Sequence, residues 1–181
     1  MRAFRLLKGA LVASLFFVLN ASADADTRAE RWYQIGHQYS QMGRNDDAFS
    51  WMKKAADAKH AAAQNNMGVS YLHGLGVEQD KQKAFEWFEK SALQGYAYAQ
   101  SELAMLYYQG EVVAKNDEQA EKWWLIAAKL HDEYAQFNLA SLYLEQDNVE
   151  QAYYWFNQAH KNKHPDAKLA LDKLNEIFVE K

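Results

Sequence analysis

The feature that most constrains this chain is a stretch of about 36 residues that recurs along its length. The clearest copy, residues 61–95, reads AAAQNNMGVSYLHGLGVEQDKQKAFEWFEKSALQG. Moving 36 positions forward pairs Gln64 with Gln100, Tyr71 with Tyr107, Gly74 with Gly110, Ala84 with Ala120 and Trp87 with Trp123. A repeat of this period is typical of a solenoid, in which each copy buries its apolar face against the next.

The pattern continues on both sides of this copy. We predict four repeats, at about 28–60, 61–95, 96–131 and 132–163, and the two outer repeats have a shorter internal loop. Residues 164–181 open beside the only proline and carry apolar residues at helical spacing, which predicts a capping helix over the end of the stack. Its apolar positions are Ala167, Leu171, Leu174 and Phe178.

Residues 1–23 have the composition of an export signal. Three basic residues precede the apolar run 10–19, and Ala21, Ser22 and Ala23 follow it. The run is too short to span a bilayer, so we expect cleavage after Ala23 rather than an anchor, and no integral membrane segment thereafter. The expected location is the periplasm, with secretion as the second choice. We therefore treat residues 24–181 as a single domain.

The charge balance of this mature chain argues against nucleic acid as a ligand. Without the signal, 17 Lys and Arg residues stand against 24 Asp and Glu residues, a formal charge of −7. A protein that binds a phosphate backbone needs clustered cations, and here they are scattered among acids. The chain has no cysteine, which excludes disulfides and cysteine-based metal sites. Many Ala, Tyr, Trp and Gln residues favour an all-α fold.

Each copy reads as two helices joined by a glycine-containing loop. In the central copy the first helix buries a face at helical spacing, with Gly68 at a close approach between helices. The second helix is expected to start after a polar cap, namely Asp80, Asn116 or Asn148, with Asn45 near the same place. The aromatic residues of the second helices recur at fixed positions, so we predict that they pack in the core. These are Trp87, Phe88, Trp123 and Trp124.

The central copy resembles the Sel-1-like repeat, a 36-residue relative of the tetratricopeptide repeat. The residues that carry the resemblance are Ala63-Gln64, Met67-Gly68, Tyr71, Gly74, Gly76-Val77, Asp80, Lys83-Ala84, Trp87-Phe88, Lys90-Ser91-Ala92 and Gly95. The next copy keeps the pattern with Val112 and Asn116 in its loop, and the outer copies lack the G-x-G-V loop. The resemblance implies a right-handed α-solenoid of antiparallel helix pairs whose inner surface binds protein or peptide.

By analogy with tetratricopeptide grooves, the first helices would line the concave surface. On that mapping the partner-binding residues are Tyr33, His37, Asn65, Asn66, Val69, Tyr98, Ser101, Glu102, Met105, Tyr108, Tyr134, Phe137, Asn138 and Ser141. Tyrosines supply rigid contact area and amides suit a peptide backbone. An alternative is that Asn66 and Asn138 bond helix backbones between copies. These positions lack a cluster of Lys and Arg, so we expect a neutral or basic partner.

Catalytic alternatives rest on weaker patterns. Ser50 and Lys53 have the S-x-x-K spacing of penicillin-recognising enzymes, but no S-D-N or K-T-G partner accompanies them, and the paired cysteines of relatives linked to β-lactam binding are missing. His160 and His164 are four apart, as in helical metal sites, but Pro165 follows and no third ligand is visible, so we expect a frayed, solvated helix end. We predict no catalytic residue, no metal and no cofactor.

The most direct functional interpretation is a non-catalytic adaptor that binds a protein or peptide in its concave groove. A structural part of an envelope assembly, such as a motor, secretion or polysaccharide-export machine, is the first alternative. An enzyme acting on β-lactams or peptidoglycan is the second.

Overall fold

A computed structural model describes the backbone of residues 24–179 and the side chains of residues 24–176. The predicted export signal, residues 1–23, lies outside this described part. Within it the chain forms nine helices and no strand, as the all-α prediction required. The helices are α1 (24–41), α2 (Asn45–Asp57), α3 (Ala61–His73), α4 (Lys81–Ala92), α5 (Ala97–Gln109), α6 (Asp117–Lys129), α7 (Glu133–Glu145), α8 (Val149–Lys161) and α9 (Ala167–Val179).

The helices fall into two compact units that divide at Gln79 and Asp80, inside the loop of the central copy. The N-terminal unit contains α1, α2 and α3, and α2 packs on α3. Gly36 of α1 lies against α2, because a Cβ there would stand 3.0 Å from Cγ of Met52. This repeats the close approach that the sequence indicated at Gly68, which is itself buried.

The C-terminal unit contains α4 to α9, and each of these helices packs on the next one in the chain. Its core joins alanines at the helix contacts with larger side chains from α6, α7, α8 and α9. Trp124 and Leu139 are fully buried there. Alternating small and large residues let neighbouring helices interlock, which is how a repeat without disulfides holds together.

A buried glutamine joins each repeat to the preceding one. The side-chain amides of Gln64, Gln100 and Gln136 donate to the main-chain oxygens of Ala56, Ala92 and Ala128, at 3.1, 3.2 and 2.9 Å respectively. In every case the acceptor lies eight residues earlier, at the end of a second helix. The repeated glutamine is therefore a hydrogen-bonded brace between helices, a role that the sequence pattern did not reveal.

The predicted helix caps are confirmed at three of the four positions. Side-chain oxygens of Asp80, Asn116 and Asn148 accept main-chain N–H groups at the starts of α4, α6 and α8. The expectation for Asn45 was wrong: it lies inside α2, and Arg44 occupies the cap position without a side-chain bond. Arg44 stands four residues before the repeated alanine Ala48, as Asp80, Asn116 and Asn148 stand before theirs, so α2 starts in register but without a capping side chain.

The prediction that the repeated tryptophans are buried was wrong for two of them. Trp87 and Trp123 are half-buried, as is Trp51, and each carries a lysine over its ring. In the second helices the fully enclosed aromatic residues are Phe88 and Trp124, one position later. These three tryptophans lie at the edge of the helix contact, where an ammonium group can cover the ring face, whereas Trp155 at the same repeat position is buried.

The predicted capping helix forms as α9, with Ala167, Leu171 and Leu174 buried against the preceding helices. The side chain of Phe178 lies outside the described residues. His164 precedes α9 and is buried, so the expected solvated end was wrong for this residue, while His160 is exposed. Its ring stacks on Phe137 with centroids 4.1 Å apart, and its Nδ1 accepts the main-chain N–H of Asp166.

Candidate functional site

In the N-terminal unit, the predicted binding residues divide between exposed and engaged positions. His37 is exposed, while Asn65 is buried. Tyr33 stacks on His60 with centroids 4.7 Å apart, and the His60 Nε2 lies 2.8 Å from a carboxylate oxygen of Glu30. Burial and the nearby Glu30 carboxylate raise the pKa of Tyr33. Tyr33, which was predicted to contact a partner, is thus already engaged in part by a contact between helices.

A groove lies among α1, α2 and α3 of this unit, with a volume of about 270 Å³. Three predicted residues line it: His37, Asn66 and Val69. The amide of Asn66 lies 3.6 Å from the sulfur of Met52 at the groove floor, rather than on a helix backbone. The remaining lining residues are Ser40, Asn45, Ala48, Phe49, Met52, Ser70 and Leu75. The lining contains both polar and apolar side chains.

In the C-terminal unit, two polar contacts tie the first helices α5 and α7 together. The buried Ser101 hydroxyl donates to the Asp132 carboxylate, which also caps α7 by accepting the N–H of Ala135 at 2.7 Å. The Tyr108 hydroxyl donates to Glu145 at 2.6 Å, and this bond raises the pKa of Tyr108 to about 12. Two predicted binding residues, Ser101 and Tyr108, therefore stabilise this face.

Two of the predicted residues are widely exposed tyrosines. Tyr98 on α5 and Tyr134 on α7 occupy the same repeat position and are 55% and 51% exposed. The Tyr98 ring lies 5.7 Å from Tyr96, and the Tyr134 ring meets His164 edge-on at 5.0 Å. Each ring is held on one side and open on the other, as in aromatic anchors of protein interfaces. The half-buried residues Glu102, Met105, Asn138 and Ser141 lie on the same two helices.

A second groove lies among α7, α8 and α9, with a volume of about 440 Å³. Phe137 is the one predicted residue in its lining; the others are Leu144, Phe156, Asp166, Leu169, Ala170, Lys173 and Leu174. Sequence reasoning missed the α9 members because it treated that helix only as a cap. The signal was present, since Phe137 recurs 32 positions later as Leu169 and Ser141 as Lys173.

The candidate catalytic pair is not arranged as a nucleophile and base. The Ser50 hydroxyl donates to the main-chain oxygen of Asp46 at 2.9 Å, and the Lys53 ammonium lies 2.7 Å from the Asp57 carboxylate. A base would have to accept the serine proton directly or through water. Among the described residues, no group of three or more His, Asp or Glu side chains could hold a metal ion.

The fold and this surface define an α-helical repeat scaffold. The profile described as Sel1 repeat matches residues 37–60, 61–96, 97–132 and 133–164, so the chain belongs to the Sel1 repeat family. Sel1 repeat proteins are typically non-catalytic scaffolds for protein–protein interaction.

Two solved structures extend the comparison. A Sel1 repeat protein from Oxalobacter formigenes is 29% identical, with a TM-score of 0.76 over 80% of this chain and 62% of that one. The protein c5321, a protective antigen of uropathogenic Escherichia coli with an SLR fold, is 25% identical, also with a TM-score of 0.76, over 83% of this chain and 34% of that one. This chain thus spans less than two thirds of the length of either.

A more distant likeness to MamA, at 20% identity and a TM-score of 0.54, concerns the fold alone. No curated protein sequence is significantly similar to the chain. In the part of the chain that the structure describes, every helix is too short or too polar to cross a membrane.

Proposed function

We propose that this chain is an exported, non-catalytic scaffold that binds a protein or peptide through the first-helix face of its C-terminal unit. This first-helix face consists of the exposed and half-buried predicted residues of α5 and α7, among them Tyr98 and Tyr134. The observation that carries the proposal is the pair of half-exposed tyrosines, Tyr98 and Tyr134, at one repeat position. Large aromatic side chains left open on a polar surface are typical of protein contact sites.

The surroundings of these tyrosines favour a preformed site. Ser101 with Asp132 and Tyr108 with Glu145 fix α5 against α7 before any partner arrives. A rigid face loses little conformational entropy on binding, so more of the contact energy contributes to affinity. The excess of acidic residues supports a neutral or basic partner, because an acidic one would be repelled during approach.

A capture experiment tests this proposal. The mature protein, with a photocrosslinker, is used to capture partners from the cell envelope of its own organism, beside a Tyr98→Ala/Tyr134→Ala variant. We expect the variant to lose about tenfold or more of the captured partner, since aromatic anchors dominate interface energies. The matched control is Tyr153→Ala/Tyr154→Ala, which removes two exposed tyrosines from α8.

The outcomes separate the functional classes. Equal capture by all three proteins would remove the first-helix face as the site. Recovery in one large particle would favour a structural part of an envelope assembly instead. The location has its own test: mass spectrometry of the protein from a periplasmic fraction should find Asp24 as its first residue, and an intact residue 1–23 segment would contradict export with cleavage.

A further inference from the structure

The last helix of the chain carries an exposed stripe with an unusual internal symmetry. Asp166 immediately precedes α9 and its carbonyl accepts the N–H of Ala170, so the helical spacing extends back to it. Along this side follow Leu169, Ala170 and Lys173. These positions are i, i+3, i+4 and i+7, which share one face of a helix. The order along the stripe is acid, leucine, alanine, base.

The apolar centre of the stripe is left uncovered. Leu169 is 57% exposed in the first turn of α9, whereas Ala167, Leu171 and Leu174 are buried. It stands beside the groove of about 440 Å³ that Phe137, Leu144 and Phe156 line from α7 and α8. An exposed leucine next to an open apolar groove is a protrusion and a recess on the same surface. Covering both would remove apolar area from water.

The charges of the stripe complement a reversed copy of itself. A two-fold axis through the midpoint between Leu169 and Ala170 would place Asp166 opposite Lys173 of a second copy, and Lys173 opposite its Asp166. The two charges lie about 10.5 Å apart along the axis at 1.5 Å per residue, so both contacts can form at once. Among the described residues neither side chain forms a salt bridge within the chain.

We propose that α9 is an isologous homodimer surface, on which a second copy of this chain packs antiparallel to the first. Leu169 of each copy lies over Ala170 of the other and enters its groove, and the two Asp166–Lys173 contacts close the ends. Two-fold interfaces require this reciprocity, in which residue i meets j and j meets i. The small Ala170 lets the helices approach closely. The inference does not depend on the proposed partner-binding face, because the stripe residues Asp166, Leu169, Ala170 and Lys173 can be changed without changing Tyr98 or Tyr134.

The observations favour a second copy over another partner because of the charge order. A uniformly basic or acidic partner would be attracted at one end of the stripe and repelled at the other. A reversed copy satisfies both ends without any further assumption. The contact is small, so the dimer is concentration-dependent, and its two Asp166–Lys173 ion pairs weaken at high salt.

Sedimentation velocity over a concentration series tests the proposal on the mature chain. Asp166→Lys and Lys173→Asp are made singly, and each places like charges at both ends of the interface. We expect each variant alone to raise the dimer dissociation constant about tenfold or more, since two contacts are lost together. The double variant Asp166→Lys/Lys173→Asp restores both pairs in exchanged order and should dimerise like the parent protein.

The sharpest readout is a mixture of the two single variants. Their stripes are complementary to each other and not to themselves, so a heterodimer should form where each protein alone stays monomeric. Leu169→Ala should also weaken the dimer, while Leu93→Ala, which changes a leucine that is 71% exposed on another surface, should leave it unchanged. Circular dichroism melting checks that each variant folds.

Two results would overturn the inference. One is a parent protein that stays monomeric at every concentration tested at low salt. The other is a dimer that forms equally in both single variants, which would place the interface elsewhere. Retention of partner capture by the monomeric variants would leave the proposed function standing, so the two proposals succeed or fail separately.

Discussion

The N-terminal and C-terminal units each contain a groove among two first helices and the second helix between them, but the linings differ. The N-terminal groove carries His37, Ser40, Asn66 and Ser70 among its apolar residues. The C-terminal groove is apolar except for Asp166 and Lys173. The repeat thus provides the same recess in both units, and the positions that vary between copies determine its chemistry. Function in such a chain lies in the differences between the copies.

The largest expected effects on stability come from substitutions at the floors of the two grooves. Met52 and Phe156 occupy equivalent repeat positions and are both buried. We expect Phe156→Ala to lower the free energy of unfolding by about 4 kcal/mol and Met52→Ala by about 3 kcal/mol, because each leaves a cavity. Urea unfolding followed by tryptophan fluorescence measures both. Phe156→Met should cost less than about 1.5 kcal/mol; a loss near that of alanine would mean that ring shape, not volume, matters.

The next largest loss of folding stability is expected from a glycine in the loop of the N-terminal unit. Gly76 has φ +70°, and a Cβ there would lie 2.2 Å from the main-chain oxygen of Asn45, at the wall of the groove. We expect Gly76→Ala to destabilise the protein by about 3 kcal/mol, combining a left-handed conformation with a backbone clash. Gly95→Ala is the matched control, since φ is +86° there but nothing lies within 4 Å, and it should cost about 1 kcal/mol. Equal costs would show that the loop moves away without penalty.

The junctions between repeats differ in their capping residues. His60 caps α3 in one unit and Asp132 caps α7 in the other. Asp132→Ala should cost about 1 kcal/mol in thermal or urea unfolding because the N–H of Ala135 loses its acceptor. Asp132→Asn keeps an acceptor and should match or exceed the parent protein at pH 7.

Asp132→Asn should be at least as stable as the parent protein because the carboxylate charge of Asp132 is buried. Burial raises the pKa of Asp132 above its ordinary value of 3.8. The stability that this group contributes is therefore complete below the unfolded pKa and declines as pH rises through the folded one. In Asp132→Asn that decline should vanish from a pH series of unfolding free energies. An unchanged pH profile would assign it to another group.

The smallest effect at neutral pH concerns tyrosines of the C-terminal unit. Burial, with the hydrogen bond to Glu121, raises the pKa of Tyr143 to about 12, and Tyr108 is raised to a similar value by Glu145. Their contribution to stability is complete below about pH 10 and is lost as pH rises toward about 12. Absorbance titration of tyrosinate should show Tyr143 ionising earlier in Glu121→Gln. No shift would mean that burial alone sets this pKa.

Periodicity was enough to predict the helices, their pairing in repeats and the caps at Asp80, Asn116 and Asn148, because these depend on local spacing. It could not predict which face of a second helix is enclosed, since Trp87 and Phe88 are adjacent and equally apolar. It also could not show that Ser101 and Tyr108 are engaged by Asp132 and Glu145, because those partners lie on another helix. The binding role of the first-helix residues stays a prediction.

The glutamine brace has a consequence for how such a chain can lengthen or shorten. Each of the three glutamines takes its acceptor from the repeat before it, so a duplicated or deleted internal copy would bring its own donor and provide the next acceptor. At the two ends the corresponding positions are Trp32 and the exposed Lys168, which pairs with Asp172 instead. The interior copies are thus interchangeable in this respect, so copy number can change in evolution without leaving the side-chain N–H of such a glutamine unsatisfied.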